Sequence, residues 1–153
     1  MSTTTAADLQ LIDVTTPDGA LVAPEWLPRA EGVHRQLRDR LGPDYVAKMH
    51  RVFADGARLV VAARGDVVVG LGVYRIYENT FDGLNLYVDD LITDETQRSQ
   101  GVGQALLAHM EAIARAQGCL AFRLDSGTQR QRAHRFYLRE GLFITSFHFV
   151  KTL

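Results

Sequence analysis

The chain of 153 residues lacks most features that mark secreted, membrane or nucleic-acid-binding proteins. Its single cysteine, Cys119, excludes an internal disulfide, which favours a reducing compartment. No apolar run is long enough to span a bilayer, and the N-terminus has neither the basic nor the apolar stretch of a signal peptide. The formal net charge of -1 comes without a basic stripe for a nucleic acid. We therefore expect a cytoplasmic protein that binds neither membranes nor nucleic acids.

The stretch 97–107, QRSQGVGQALL, lacks the marks of two common phosphate-binding loops. It has no GK[ST] for a Walker loop and no third glycine at the dinucleotide spacing. Gly101 and Gly103 nevertheless stand where an apolar helical pattern begins, although glycine in a helix costs about 1 kcal/mol relative to alanine. The first N–H groups of a helix attract anions, and glycine lets an anion approach the backbone. The pattern predicts a phosphate-binding loop, in which Arg98 could contact the same anion; a tight turn is the alternative.

Hydrophobic periodicity predicts alternating strands and helices in one domain over residues 1–153. The strands on either side of the helix 101–117 predict a right-handed parallel crossover. The fold class is α+β (mixed α/β). The predicted elements are a strand at 9–14, helices within 24–41 and 44–56, two strands within 58–77, a strand at 84–93, the helix 101–117, a strand at 119–126, a helix around 131–140 and a closing strand at 142–151.

The segments around and after the glycines resemble the GNAT superfamily of acetyl-CoA-dependent N-acyltransferases. RSQGVG at 98–103 resembles the R/Q-x-x-G-x-G/A loop of that family, and LYVDDLIT, GVGQALLAHMEAIARAQG, CLAFRLDS and AHRFYLREGL follow the family's order. AHRFYLREG and the closing FVKTL resemble bacterial small-molecule acetyltransferases such as the aminoalkylphosphonate N-acetyltransferases. The resemblance, good from about residue 58 onward, implies a central mixed sheet of about six or seven strands with about four helices. It also implies direct attack of a primary amine on the thioester of acetyl-CoA in a ternary complex.

The resemblance implies where acetyl-CoA, the co-substrate, would bind. The backbone of the strand 84–93 would pair with the pantetheine arm at Leu91, Ile92 and Thr93, and the Leu91 N–H would also stabilise the oxyanion. The chain departs from the family pattern at Arg130, where many members carry an asparagine that contacts the cofactor. The pyrophosphate would bind to the loop N–H groups of Arg98, Ser99, Gln100, Gly101, Val102, Gly103 and Gln104.

Tyr137 is the predicted acid. In related enzymes the tyrosine of this Phe-Tyr pair lies beside the thioester sulfur, where its phenol can protonate the leaving thiolate; a core tyrosine packed with Phe136 is the alternative. The base stays open between direct proton abstraction by an acid, a water relay and a simple electrostatic site for the cation. Adjacent residues of a strand face opposite sides, so Asp89 and Asp90 would not both line one cleft. The candidate acids are Asp90, Glu78, Asp89 and Asp125.

The candidate acids predict a cationic acceptor, and the resemblance implies that it is a small primary amine. The alternatives are a protein lysine or N-terminal acetyltransferase and a non-catalytic acetyl-CoA-binding sensor module. No His, Cys or acid spacing predicts a metal site. The apolar content of the closing strand would allow a homodimer.

Overall fold

The computed structural model describes residues 8–153, which fall into two compact units, the first ending at Arg123 and the second running from Leu124 to Leu153. The prediction of a single domain stays a prediction. Most of the stretch on which the absence of a signal peptide was judged, residues 1–7, lies outside the described residues. Within the described part, no helix combines the length and the apolar character needed to cross a membrane.

The first unit contains almost all of the regular structure. The pattern of helices and strands follows the predicted order, with a single turn of 3-10 helix at Glu95–Gln97 between the last long strand and the next helix. Its elements are β1 (Leu9–Asp13), α1 (Trp26–Leu37), α2 (Tyr45–Ala54), β2 (Arg58–Arg64), β3 (Val67–Asn79), β4 (Gly83–Thr93) and α3 (Val102–Ala116), followed by β5 (Ala121–Leu124), which ends at the boundary.

The strands form one mixed sheet in the order β1-β2-β3-β4-β5. The neighbours among β1 to β4 pair antiparallel, so β2, β3 and β4 form a meander. The chain then crosses through α3 before it returns to the sheet as β5. The sheet has five strands, fewer than the six or seven expected, and β5 is shorter than the predicted strand 119–126.

A β-bulge interrupts the pairing of β3 with β4. Val73 pairs with Asp90 and Tyr74 pairs with Val88, so Asp89 is an extra residue on β4. A bulge bends its strand and redirects the side chains beside it, because two residues oppose one on the partner strand. The regular alternation of side chains along β4 is therefore broken between Val88 and Asp90.

Both faces of the sheet are covered by helices. On one face, α1 and α2 bury apolar side chains such as Leu27 and Met49 against β2 and β3. On the other face, α3 packs closely on β3: a Cβ on Gly70 would lie 2.7 Å from Val102 Cγ1, and one on Gly72 would lie 2.8 Å from Met110 Sδ. This packing holds the start of α3 against the sheet. The buried residues of α3 are Val102, Leu106, Leu107, Met110 and Ala114.

The second unit contains α4 (Gln131–Arg139) and the residues that follow it. The predicted closing strand at 142–151 is wrong, because residues 142–153 form no helix or strand. A strand forms only when a neighbour accepts and donates its backbone hydrogen bonds. Among the described residues this segment makes one such bond, from Leu142 N to Tyr137 O. Its large apolar side chains are exposed at Phe143, Ile144, Phe147, Phe149, Val150 and Leu153.

Candidate active site

The loop before α3 presents backbone N–H groups rather than side chains. Gly101, the N-cap of α3, has a left-handed backbone with φ of 80°, and no side chain caps the helix. Ser99 also has a positive φ of 63°, which is uncommon for a residue with a Cβ. Turns of this kind direct successive N–H groups toward one point, and the first turn of a helix adds N–H groups without helical partners. The loop therefore has a backbone geometry that suits an anion.

Gly101 is required for its backbone conformation. A Cβ at this position would meet no atom within 4 Å, so space alone does not exclude a larger residue. The left-handed φ disfavours a larger residue, because this backbone conformation costs an L-residue roughly 1–2 kcal/mol. Gly103 lies inside the first turn of α3. Arg98 is exposed and forms no ion pair with any residue between 8 and 153, so its guanidinium is available to an anion at the loop.

β4 leads directly into this loop. Leu91, Ile92 and Thr93 pair with β3 along one edge of the strand. The other edge faces β5, which has only four residues and begins near the start of β4, where Leu120 N donates to Leu84 O. In the described part of the chain, β5 is too short to reach beside Leu91–Thr93. The backbone of this segment could therefore pair with an extended ligand.

A cleft of about 540 Å³ lies in the first unit between α1, α2 and the strands β3 and β4. Its floor includes the apolar side chains of Met49, Val52 and Val73. Its walls are strongly charged. The charged and titratable residues that line it are His34, Arg38, Asp39, Arg40, Lys48, Arg75, Tyr87, Asp89 and Asp90.

Asp89 and Asp90 both line this cleft, so the prediction that they face opposite sides of β4 is wrong. The prediction assumed a regular strand, in which neighbouring side chains alternate. The bulge at Asp89 removes that alternation and brings the two carboxylates to the same cleft. Nothing in the residue types of LYVDDLIT indicates a bulge.

Asp90 ends a buried chain of hydrogen bonds. His34 Nε2 lies 2.7 Å from Asp90 Oδ2, and His34 Nδ1 lies 2.9 Å from the Tyr45 hydroxyl. An ionised carboxylate only accepts hydrogen bonds, so Nε2 carries the proton that His34 donates to Asp90. With a neutral ring, Nδ1 then accepts from the Tyr45 hydroxyl. Burial raises the pKa of Tyr45, which keeps that hydroxyl protonated as a donor.

Arginines neutralise both carboxylates of the cleft. Arg38 Nε donates to Asp90 Oδ1 at 2.6 Å, Arg38 Nη2 also contacts this carboxylate, and Arg38 Nη2 donates to the Asp89 carbonyl at 2.9 Å. Burial opposes ionisation of Asp90, but the hydrogen bond from His34 and the charge of Arg38 outweigh it and hold the pKa of Asp90 below its ordinary value. Arg75 Nε donates to Asp89 Oδ2 at 2.7 Å. Both acids are therefore fixed as paired anions, an arrangement that suits orientation more than proton abstraction.

The remaining predicted residues lie outside this cleft. Glu78 is exposed near the end of β3 and does not line it. Asp125 belongs to the second unit, where its Oδ2 lies 3.1 Å from His148 Nδ1. Tyr137 lies on α4 of the same unit, half-buried, with its ring centroid 5.4 Å from that of Phe136. Burial raises the pKa of Tyr137 against the opposing charge of Arg130, so the phenol keeps its proton at neutral pH.

His34, Arg38 and Tyr45 were not among the residues predicted from the sequence. His34 and Arg38 stand four residues apart at the end of the first predicted helix, which places them on one face. That spacing was available in the sequence, but only a fold that brings α1 against β4 connects them to Asp90. His34 is buried with 2% of its side chain exposed, as its two ring partners require.

Comparison with known proteins connects this arrangement to one family. A family model described as the Acetyltransferase (GNAT) family matches residues 24–142. Thialysine N-epsilon-acetyltransferase of Mus musculus is 34% identical over 75 residues, which are 49% of this chain and 44% of that protein. Aminoalkylphosphonate N-acetyltransferase of Salmonella typhimurium is 39% identical over 66 residues, 43% of each chain. The chain thus spans less than half the length of these two curated relatives.

Solved structures share the whole fold. An aminoglycoside N-acetyltransferase in complex with CoA superposes with a TM-score of 0.80 at 15% identity, covering 99% of both chains. An acetyltransferase of Trypanosoma brucei has a TM-score of 0.77 at 20% identity and covers 95% of this chain and 100% of its own. At these identities the likeness shows the fold, while the family match covers most of the sequence. The chain belongs to the GNAT acetyltransferase family.

Proposed function

We propose that the protein is an N-acetyltransferase that moves the acetyl group of acetyl-CoA to a small primary amine by direct attack in a ternary complex. One observation carries this proposal: β4 borders a charged cleft at Asp89 and Asp90 and then leads into the uncapped N-terminus of α3. A donor with a pyrophosphate and an extended arm fits the loop and the strand edge. An amine fits the cleft beside them. Both named curated relatives act on small amines, as their names state.

The donor would be held by backbone groups. We assign the pyrophosphate of acetyl-CoA to the N–H groups between Arg98 and Gln104, with the Arg98 guanidinium as a charged partner. The left-handed Gly101 and Ser99 support this assignment, because they shape the loop for an anion. The pantetheine arm would pair with Leu91, Ile92 and Thr93 like an added strand. An N–H of Leu91 would stabilise the oxyanion.

The chemistry needs a neutral amine and a proton for the leaving thiolate. Tyr137 is the proposed acid, and the burial that raises its pKa supports this role by keeping the phenol protonated. Asp90, held in place by His34 and Arg38, would orient the acceptor amine through the remaining lone pairs of its carboxylate, and a water relay would carry the ammonium proton to solvent. Glu78 stays a further candidate acid, although it is exposed and does not line the cleft.

The test is release of free CoA thiol from acetyl-CoA with a panel of small primary amines and a lysine-containing peptide. We expect thiol release to depend on a small amine and the acetylated product to appear in equal amount. Tight acetyl-CoA binding with no thiol release for any acceptor would identify a sensor module instead. Faster acetylation of the peptide than of every small amine would identify a protein acetyltransferase.

We also propose that two copies of the chain associate through residues 142–153. Six large apolar side chains of this segment are exposed, among them Phe147 at 84% and Phe149 at 91%. Such side chains bury about 150–250 Å² each when aromatic, so a reciprocal contact reaches the size of a stable interface. Light scattering should give twice the mass of the chain, and Phe147→Asp with Phe149→Asp should give the mass of one chain. A single-chain mass for the unchanged protein would disprove the dimer.

A further inference from the structure

Two cations of the cleft have no acidic partner among the described residues. Lys48 on α2 and Arg40 after α1 both line it, and neither forms an ion pair or a side-chain hydrogen bond with any residue of the described range 8–153. The other two cations, Arg38 and Arg75, are bound to Asp90 and Asp89. These internal pairs leave Asp39 as the remaining acid of the walls. The cleft therefore has an excess of positive charge once its own pairs are formed.

The surroundings of Lys48 strengthen its attraction for an anion. Its side chain is half-buried in a wall whose neighbours include the apolar Met49 and Val52. A partly desolvated ammonium beside apolar surface gains more from an anion than a fully hydrated one does. Arg40 lies in the connection that follows α1, on the same cleft, and a guanidinium suits carboxylate and phosphate oxygens.

We infer that the acceptor amine also carries an anionic group, a carboxylate or a phosphonate, which Lys48 and Arg40 bind. This inference rests on the proposed acetyl transfer. The amine end would then lie beside β4, which carries the two paired carboxylates. It adds an anionic group to the cationic acceptor expected from the sequence. That expectation counted Asp89 and Asp90 as free charges, whereas both are neutralised by arginines.

The experiment compares acceptors that differ only in the anionic group. The pairs are 3-aminopropylphosphonate with 3-aminopropanol, and 4-aminobutanoate with 4-aminobutanol, each measured as kcat/KM for CoA thiol release. We expect the anionic member of at least one pair to be favoured about tenfold or more, the effect of one charge-assisted hydrogen bond. The preferred pair identifies the anion as phosphonate or carboxylate.

Variants of the chain test whether Lys48 causes the preference for an anionic acceptor. Lys48→Met keeps the aliphatic stem and should reduce the anionic preference about tenfold, whereas Lys48→Arg should keep most of it. Arg51→Ala is the matched control, because Arg51 is an exposed cation one turn later on α2 that does not line the cleft. It should leave the preference unchanged, and circular dichroism should show that all three variants fold.

The outcomes separate this inference from the proposed function. Acetylation of the amino alcohols as fast as their anionic partners, with an active enzyme, disproves the anionic acceptor and leaves the acetyltransferase intact. An equal loss of preference in Arg51→Ala and Lys48→Met also overturns it, because general charge would then explain the effect. No thiol release with any amine, in a protein that binds acetyl-CoA, disproves the proposed function itself.

Discussion

The loop before α3 and the cleft beside β4 differ in the groups that would interact with a charged ligand. The loop offers backbone N–H groups, and its shape depends on the left-handed Gly101 and Ser99. The cleft offers side chains, and most of its charges are already paired, Asp90 with His34 and Arg38, and Asp89 with Arg75. An anion site made of backbone needs few particular side chains. A cleft made of ion pairs needs every partner in place, because a single removed partner leaves a charge unpaired.

The difference teaches which kind of substitution each region tolerates. The loop should be sensitive to backbone conformation and tolerant of side-chain chemistry. The cleft should be sensitive to charge and tolerant of changes in the loop. Substitutions that preserve one property and alter the other can therefore test the two regions separately.

The largest effect is expected at the loop, from Gly101→Val. A β-branched residue at a φ of 80° would force the loop out of its left-handed conformation. We expect the Kd of acetyl-CoA to rise about a hundredfold, from roughly 3 kcal/mol of backbone strain and lost phosphate hydrogen bonds. Isothermal titration calorimetry measures this constant directly.

Gly118→Val is the control for that substitution. Gly118 follows the other end of α3, has a φ of 77° and, like Gly101, has no atom within 4 Å of a new Cβ. The two variants should lose similar stability, but Gly118→Val should bind acetyl-CoA normally. Equal losses of affinity in both variants would contradict the assignment of the loop.

In the cleft, Asp90→Asn should reduce the free energy of unfolding by about 2 kcal/mol at neutral pH, because His34 and Arg38 lose their charged acceptor. The lowered pKa of Asp90 makes this difference pH-dependent. The ionised carboxylate contributes its full stability above the ordinary pKa of about 3.9 in the unfolded chain. The contribution is lost as the pH falls through the lower pKa of the folded protein.

Urea unfolding of the two proteins at neutral and acidic pH measures this gap. It should narrow steadily below about pH 4, where the unfolded chain begins to bind the proton. A gap of constant size over the whole range would mean that the Asp90 charge contributes nothing. Binding of acetyl-CoA should be unchanged in Asp90→Asn, which separates the cleft from the loop.

Tyr137→Phe tests a residue that belongs to neither region. The proposed acid acts only in the chemical step, so kcat should fall about tenfold or more while the Kd of acetyl-CoA changes little. The aromatic contact with Phe136 survives in the variant, which keeps the packing of α4. Turnover equal to that of the unchanged protein would remove Tyr137 from the acid role.

The smallest effect is expected for Asp89→Asn. Its partner Arg75 is about one-third exposed and also donates to the Asp55 carbonyl at 2.7 Å. Partly exposed pairs of this kind contribute about 0.5 kcal/mol. Comparison with Asp90→Asn by urea unfolding should show that two adjacent carboxylates differ several-fold in their contribution. Equal losses would contradict the distinction between the buried and the exposed pair.

Local sequence patterns were enough to predict most of the helices and strands. The apolar stripe of α3, the turns between β2, β3 and β4, and the glycines at the loop each depend on a few neighbouring residues. The prediction of a strand at 142–151 was wrong for a related reason. Alternating apolar residues predict which faces a strand would have, but a strand also needs a partner elsewhere, and alternation carries no information about one.

The shape of the glycine loop could therefore be predicted from eleven consecutive residues, because the proposed anion site would be made by the backbone of those residues themselves. The family resemblance followed from the same local motifs. The cleft could not be predicted from the sequence, because the bulge at Asp89 turns two adjacent carboxylates to one side. In addition, the fold brings His34 and Arg38 to Asp90 from more than fifty positions away in the chain. Tertiary structure alone pairs those acids with arginines. On that basis we propose an amine with an anionic group in place of the cationic acceptor expected from the sequence.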